Sequence, residues 1–212
     1  MTSVTAIIPA LNEQETIGEV VRVIKSSPLV GEVIVVSDGS TDETSARAQE
    51  AGARVFDLPI NQGKGGAMAH GLAQTDAGII FFADADLRGL TVDHIEQLIR
   101  PVMSGARFMN VGLRDRGPLT PLTAHLPLIS GERVLKREVI ERINPRLLHG
   151  YMIESALNYS CRSRKLAYGS VVLRGLTIRR KYEKVGWRRA IPQYVKMSFE
   201  IAKSIMMVRL WK

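Results

Sequence analysis

Within the first 111 residues, short runs of uninterrupted apolar residues alternate with segments of helical period. Val4–Ile8, Glu32–Val36, Arg54–Asp57, Gly78–Phe82 and Arg107–Val111 read as strands. Between them, Glu15–Lys25, Asp42–Ala51, Lys64–Ala73 and Val92–Met103 read as helices, the first with Ile17, Val20, Val21 and Ile24 on one face. Strands apolar on both faces must be covered on both faces, so the pattern predicts an α/β fold. The expected form is a doubly wound, mostly parallel sheet with helices on either side. In such sheets ligands bind outside the carboxyl ends of the strands. The chain of 212 residues is long enough for one such domain with its own core.

The second half is less regular. Gly112–Pro127 reads as a loop, Glu132–Ile143 and Tyr151–Ser163 as helices, Tyr168–Leu173 as a strand and Trp187–Trp211 as a basic helix. Charge divides along the same line. Residues 1–106 carry 7 Lys and Arg against 14 Asp and Glu, a charge of −7, and residues 107–212 carry 22 against 7, a charge of +15. Such asymmetry assigns the halves different work and gives the second a field for an anionic partner. The single cysteine, Cys161, excludes a disulfide framework and a cysteine-based zinc site. With no basic, apolar leader at the start and no long apolar span, the expected location is cytoplasmic, with peripheral membrane contact left open.

Three strands end in polar clusters: Pro9-Ala-Leu-Asn12-Glu13, Ser37-Asp38-Gly39-Ser40-Thr41-Asp42 and Ala83-Asp84-Ala85-Asp86-Leu87. All three are expected in one crevice. Asn12 with Glu15, and Ser40 with Glu43, have the spacing of an N-cap and its N3 carboxylate. Asp38 precedes the cap, and a carboxylate there can accept a hydrogen bond from a nucleobase N–H. Asp84 and Asp86 are two apart directly after Ile79-Ile-Phe-Phe82, so both point the same way from a strand end. Acidic pairs after so apolar a run are costly unless exposed, paired or metal-bound. Their hard oxygens suit Mg2+ or Mn2+. Asn61-Gln-Gly63-Lys64-Gly65-Gly66 opens a helix with backbone N–H groups and one cation, but Gly65 after Lys64 is not the Ser or Thr of a Walker loop.

In order, Ile8-Pro-Ala-Leu-Asn-Glu13, Val36-Ser-Asp-Gly-Ser-Thr-Asp42, Gly63-Lys-Gly-Gly-Ala67 and Ala83-Asp-Ala-Asp-Leu87 resemble the family 2 glycosyltransferases, which have the GT-A fold. The resemblance implies a nucleotide-sugar donor and a divalent metal, Mg2+ or Mn2+, held by a D-x-D motif, here Asp84 and Asp86. It implies a nucleotide pocket lined by Pro9, Leu11, Glu13 and Asp38, with Lys64 at the base or phosphate. It divides the single GT-A domain into a nucleotide-sugar half over 1–111, an acceptor half over 112–186 and a C-terminal basic helix over 187–212. Leu128-Ile-Ser-Gly-Glu132-Arg133 and Gly150-Tyr-Met-Ile-Glu154 resemble the glucosyl-3-phosphoglycerate synthase branch and its polyprenyl-phosphate glycosyltransferase relatives. That branch places a metal-binding His in a late R-x-H-R stretch. The comparable stretch here, Gly175-Leu-Thr-Ile-Arg179-Arg180, has none, and His149 is the nearest alternative.

The chemistry assigns further roles. Breaking a sugar–phosphate bond leaves charge on a diphosphate, and the metal, Arg179, Arg180 and Lys181 are candidates to meet it. Glu154 is a candidate general base for a hydroxyl acceptor, or an orienting group; an ordinary surface glutamate is the plain alternative. Arg114 and Arg116, with Arg133, Lys136 and Arg137 behind them, predict an anionic acceptor, either a phosphorylated small acid or a lipid phosphate. Arg189, Lys196 and Lys203 recur at intervals of seven beside Ile191, Val195, Phe199 and Ile205. That pattern suits a helix lying on a membrane or one docked on the sheet or on a second subunit of a homodimer. Two other classes compete. A nucleotidyltransferase acting on a sugar phosphate would want a basic Gly-rich loop where Ala10-Leu-Asn-Glu13 stands. A nucleic-acid-binding module would want aromatic residues among its basic ones, and these are missing, so no nucleic-acid partner is expected.

Overall fold

The structure, a computed structural model, describes residues 4–114, 130–144, 147 and 152–178. Its elements in chain order are β1 (Val4–Ala10), α1 (Ile17–Ser26), β2 (Val30–Asp38), α2 (Thr44–Glu50), β3 (Arg54–Leu58), α3 (Gly63–Leu72), β4 (Ile79–Phe82) and β5 (Leu87–Arg88). They continue with α4 (Val92–Met103), β6 (Met109–Arg114), β7 (Arg133–Lys136), α5 (Arg137–Glu141), α6 (Met152–Ser163), β8 (Tyr168–Leu173) and β9 (Thr177–Ile178).

Seven strands form one sheet in the order β3-β2-β1-β4-β7-β6-β8, and β5 pairs with β9 beside it. β1 runs parallel to β2 and β4, β2 to β3, and β6 to β8, while β7 is antiparallel to both neighbours. The doubly wound, mostly parallel sheet expected from the alternation is therefore present, and the second half of the chain extends the same sheet. Period-two alternation divides each strand between two cores. Ile8, Val35 and Phe81 pack with Ile17, Val20 and Ile24 of α1 and Ile95 and Leu98 of α4. Ile7, Ile34 and Ile80 pack on the opposite face with Met68 of α3, Ile140 of α5 and Ile153 and Leu157 of α6.

The helix expected over Glu132–Ile143 is a correction. Its first part is strand β7, which fills the slot between β4 and β6, with Val134 opposite Phe81 and Leu135 opposite Ile80. Val134 and Leu135 are both fully buried, one in each core. Only the vacancy in the sheet imposes that; the local sequence, two apolar residues between charges, fits either state. The helix begins only at Arg137. The segment 187–212, read from sequence as a basic helix, lies outside the described residues. No described helix is long and apolar enough to cross a membrane.

Candidate active site

The carboxyl ends of β1, β2 and β4 converge, and their loops are bonded to one another. Asn12 adopts a left-handed backbone (φ 55), and its Oδ1 accepts from Thr41 N–H at 2.9 Å while its own N–H donates to Ser40 Oγ at 3.2 Å. Glu13 N–H donates to Thr44 Oγ1 at 2.8 Å, and Glu43 N–H to Gln14 Oε1 at 3.0 Å. The capping boxes expected at Asn12 and Ser40 do not form. The caps are Thr16 and Glu43, and neither makes a side-chain cap bond. Two loops leaving adjacent parallel strands satisfy each other, which local spacing cannot reveal. The third loop joins through Thr16 Oγ1, which donates to Ala85 O at 2.8 Å.

Asp38, at the end of β2, is 3% exposed, and its Oδ1 accepts from Gln62 N–H at 2.7 Å. The turn closes tightly because Gly39 (φ 75) lies against the backbone of Asn61. Pro9 is half-buried, Glu13 buried and Leu11 exposed at the same rim.

At the end of β4 the alternation continues. Ala83 and Ala85 are buried, while Asp84 and Asp86 are half-buried. Asp84 is the centre of a charge network. Its Oδ1 meets Lys64 Nζ at 2.8 Å and its Oδ2 meets Arg114 Nη2 at 3.1 Å. Lys64, in the first turn of α3, also reaches Glu154 Oε1 at 3.0 Å. Arg114, the last residue of β6, also reaches Glu132 Oε1 at 2.9 Å. Because β7 is antiparallel, its beginning lands at the same rim as the ends of β4 and β6. That brings Ser130, Gly131, Glu132 and Arg133 to the site. A Cβ on Gly131 would fall inside the Asp84 carboxylate, so the backbone can close on Asp84 only with glycine there.

The lower tier of this network is buried. Glu132 is wholly buried, its Oε2 accepting from Ser130 Oγ at 2.5 Å. Arg133 is wholly buried too, donating from Nη2 and Nε to Ser130 O at 2.7 and 3.1 Å and from Nη1 to Glu154 O at 3.4 Å. Burial pulls the Lys64 ammonium down, but Asp84 and Glu154 outweigh it and hold its pKa above the ordinary value. Burial likewise pushes the Asp84 carboxyl up, and Lys64 and Arg114 outweigh it and hold it below its ordinary range. For Glu132 burial prevails, reinforced by repulsion from Asp84, and the carboxyl is pushed up. Asp86 adds to the negative field on Arg114.

Of the residues singled out in sequence, Pro9, Leu11, Glu13, Asp38, Lys64, Asp84, Asp86 and Glu154 thus lie at one end of the sheet. Glu154 is not a surface glutamate; it is 4% exposed. Arg133, expected as part of an accessible basic patch, is buried under Asp84. Lys136 and Arg137 are also corrections. Lys136 Nζ sits 4.5 Å from the centre of the Phe108 ring, and Arg137 bonds Leu72 O at 3.2 Å and Glu141 at 3.3 Å. Both tie elements together. Arg179, Arg180, Lys181, Arg116 and His149 lie outside the described residues. Glu132 and Gly131 carried no role from sequence, although they sit inside a stretch quoted for the resemblance. Among the described residues no three His, Cys, Asp or Glu side chains are grouped to hold a metal. Asp84 and Asp86 nevertheless supply hard oxygens, and the Asp84 carboxylate already gathers positive charge on both its oxygens. The donor set therefore fits a divalent cation.

Residues 5–160 match the family described as Glycosyl transferase family 2. The chain belongs to this family. The chain is 40% identical over 111 residues to glucosyl-3-phosphoglycerate synthase of Mycolicibacterium smegmatis, covering 48% of this chain and 37% of that protein. It is 33% identical over 159 residues to the synthase of Mycobacterium tuberculosis, covering 68% of this chain and 49% of that protein. It thus spans half or less of the length of these relatives. The crystal structure of the M. tuberculosis synthase with Mn2+, UDP-glucose and phosphoglyceric acid is similar at a TM-score of 0.81 and 28% identity, over 98% of this chain and 79% of that one. The fold is GT-A, as the family motifs implied.

Proposed function

We propose that this chain transfers a hexosyl group from a uridine-diphosphate sugar to a small phosphorylated acid. The observation that carries the reading is the placement of Lys64 and Arg114, each about a quarter exposed, around Asp84 at the strand ends. The solved relative of the same fold holds UDP-glucose and phosphoglyceric acid. Both ligands bring phosphate, and fixed cations in a partly dry site stabilise phosphate charge as it develops.

Asp38 is oriented by Gln62 N–H to accept from a nucleobase N–H, and exposed Leu11 offers the base an apolar surface. Asp84 and Asp86 hold Mg2+ or Mn2+, which when bound supplies a Lewis acid to the leaving diphosphate. Lys64 binds phosphate, and Glu154, tied to Lys64 and buried, positions that lysine. Arg114 takes the acceptor's phosphate. Arg179 and Arg180, the candidates from sequence to meet the charge on the leaving diphosphate, lie outside the described residues. The test is incubation with UDP-glucose, Mn2+ and either 3-phosphoglycerate, polyprenyl phosphate or a neutral sugar, with products identified by mass spectrometry. Transfer to 3-phosphoglycerate is expected, with Arg114→Ala raising the acceptor KM and leaving donor affinity nearly unchanged. Transfer to neutral sugars alone refutes the reading. Transfer to polyprenyl phosphate alone replaces the small acid by a lipid acceptor.

A further inference from the structure

Thr16 is the N-cap of α1, yet its hydroxyl does not cap. A threonine in that position ordinarily accepts a hydrogen bond from a backbone N–H of the first helical turn. Here Glu13 O takes the N–H groups of Thr16 and Ile17, at 3.1 and 3.0 Å. The Thr16 hydroxyl donates instead to Ala85 O at 2.8 Å, a closer partner than Glu13 O at 3.5 Å. Thr16 is 5% exposed and Ala85 4%, so the bond is shielded from water. A side chain that forgoes its local bond for a distant one marks a place where tertiary demands outweigh helix capping, and such places gather at functional sites. Ala85 stands between Asp84 and Asp86. Its carbonyl lies in the peptide plane that leads into Asp86, so holding that oxygen sets the direction from which the Asp86 side chain departs. The chain beyond Asp86 is held as well. Leu87 pairs with Ile178, and the turn before β9 is anchored where His94 Nε2 lies 3.0 Å from Arg174 O. Asp84 is supported through its carboxylate, by Lys64, Arg114 and the backbone at Gly131. Asp86 is supported through its main chain. Cations of the Mg2+ class tolerate little error in ligand geometry, so that support bears directly on binding.

We propose that Thr16 is a positioning residue of the metal site: its hydroxyl fixes the Ala85–Asp86 peptide so that Asp84 and Asp86 face one cation. The inference rests on the assignment of Asp84 and Asp86 to Mg2+ or Mn2+. It adds that the loop carrying Asn12 and Glu13 to the nucleotide pocket also sets the metal motif, through the residue that begins α1. Thr16 acts through the backbone, not as a ligand.

The test is Mn2+ binding to the full chain in the presence of UDP, followed by electron paramagnetic resonance. Thr16→Val keeps the side chain's shape and removes the donor. It should bind Mn2+ about tenfold more weakly than wild type, the low end of the loss caused by removing an outer-shell partner of a metal site. Its UDP affinity in EDTA should equal that of wild type. Thr16→Ser returns the hydroxyl and should restore most of the Mn2+ affinity. Ser160→Ala is the control. Ser160 is likewise buried and its hydroxyl likewise donates to a backbone carbonyl, Val139 O at 3.0 Å, but that bond joins α6 to α5. The control should leave Mn2+ binding unchanged. Thermal unfolding checks that each variant is folded, and Thr16→Ala carries the same expectation where the valine variant is not. A folded Thr16→Val or Thr16→Ala chain that binds Mn2+ as tightly as wild type overturns the proposal and leaves the proposed function standing. A loss that Thr16→Ser does not restore, or that Ser160→Ala shares, is a general loosening and overturns it too. Absence of Mn2+ binding by wild type even with UDP overturns both.

Discussion

Arg133→Met tests whether the buried lower tier is what holds the site together. Arg133 is wholly buried, and its hydrogen bonds include two to Ser130 O and one to Glu154 O. Methionine keeps much of the side chain's volume and apolar stem, so little of the loss comes from a cavity. Two buried carbonyl oxygens lose those donors, at about 1–3 kcal/mol each. The wholly buried Glu132 and nearly buried Glu154 lose a neighbouring cation. Relief of the guanidinium's own desolvation, strong enough to pull its pKa below the ordinary value, offsets part of this. The net expectation is about 3–4 kcal/mol, in the range for breaking a buried charged network. For a chain of this length that lowers the melting temperature by roughly 10 °C. The assay is denaturant unfolding followed by circular dichroism at neutral pH, with Arg133→Lys in parallel. Lysine restores a charge but not the fork, and should recover about half of the loss. A shift under about 1 kcal/mol for the Met variant would show that the carbonyls find other partners and that the tier is not a structural support.

Asp38→Ala should weaken UDP binding by about 1–3 kcal/mol, measured by calorimetry, because it removes both a base acceptor and the anchor of Gln62 N–H; unchanged affinity would move the base elsewhere. The pH dependence of stability carries the mark of Asp84. Its folded-state pKa lies below the unfolded value of about 3.9, so it stabilises the fold above that pH and the contribution is lost as pH falls through the folded pKa. Asp84→Asn should accordingly flatten the acid limb of the stability curve below about pH 4, and an unaltered limb would show that Lys64 and Arg114 are satisfied without it.

The alternation of apolar runs with helical periods determined the fold class, because a strand apolar on both faces has no stable place except inside a covered sheet. It determined the rim as well. Asp38, Asp84 and the Asn12-Glu13 turn each follow such a strand, and parallel strands deliver their carboxyl ends to one edge. The order of the motifs was specific enough to name the family. What sequence could not decide was what enters that rim from elsewhere. β7 took a central slot because β4 and β6 left it open, and nothing in Glu132-Arg-Val-Leu-Lys136 prefers that to a helix. Its antiparallel sense then buried Arg133 and Glu132 beneath Asp84, where Arg133, read as part of a basic patch, became an internal support. The paired loops did the same to Asn12 and Ser40, which have the spacing of caps, but the Asn12 side chain accepts from Thr41 N–H and the Ser40 hydroxyl from Asn12 N–H in the facing loop. Local periodicity reports which face of an element is apolar. Which charges meet is set by long-range pairing, and that only the tertiary structure decides.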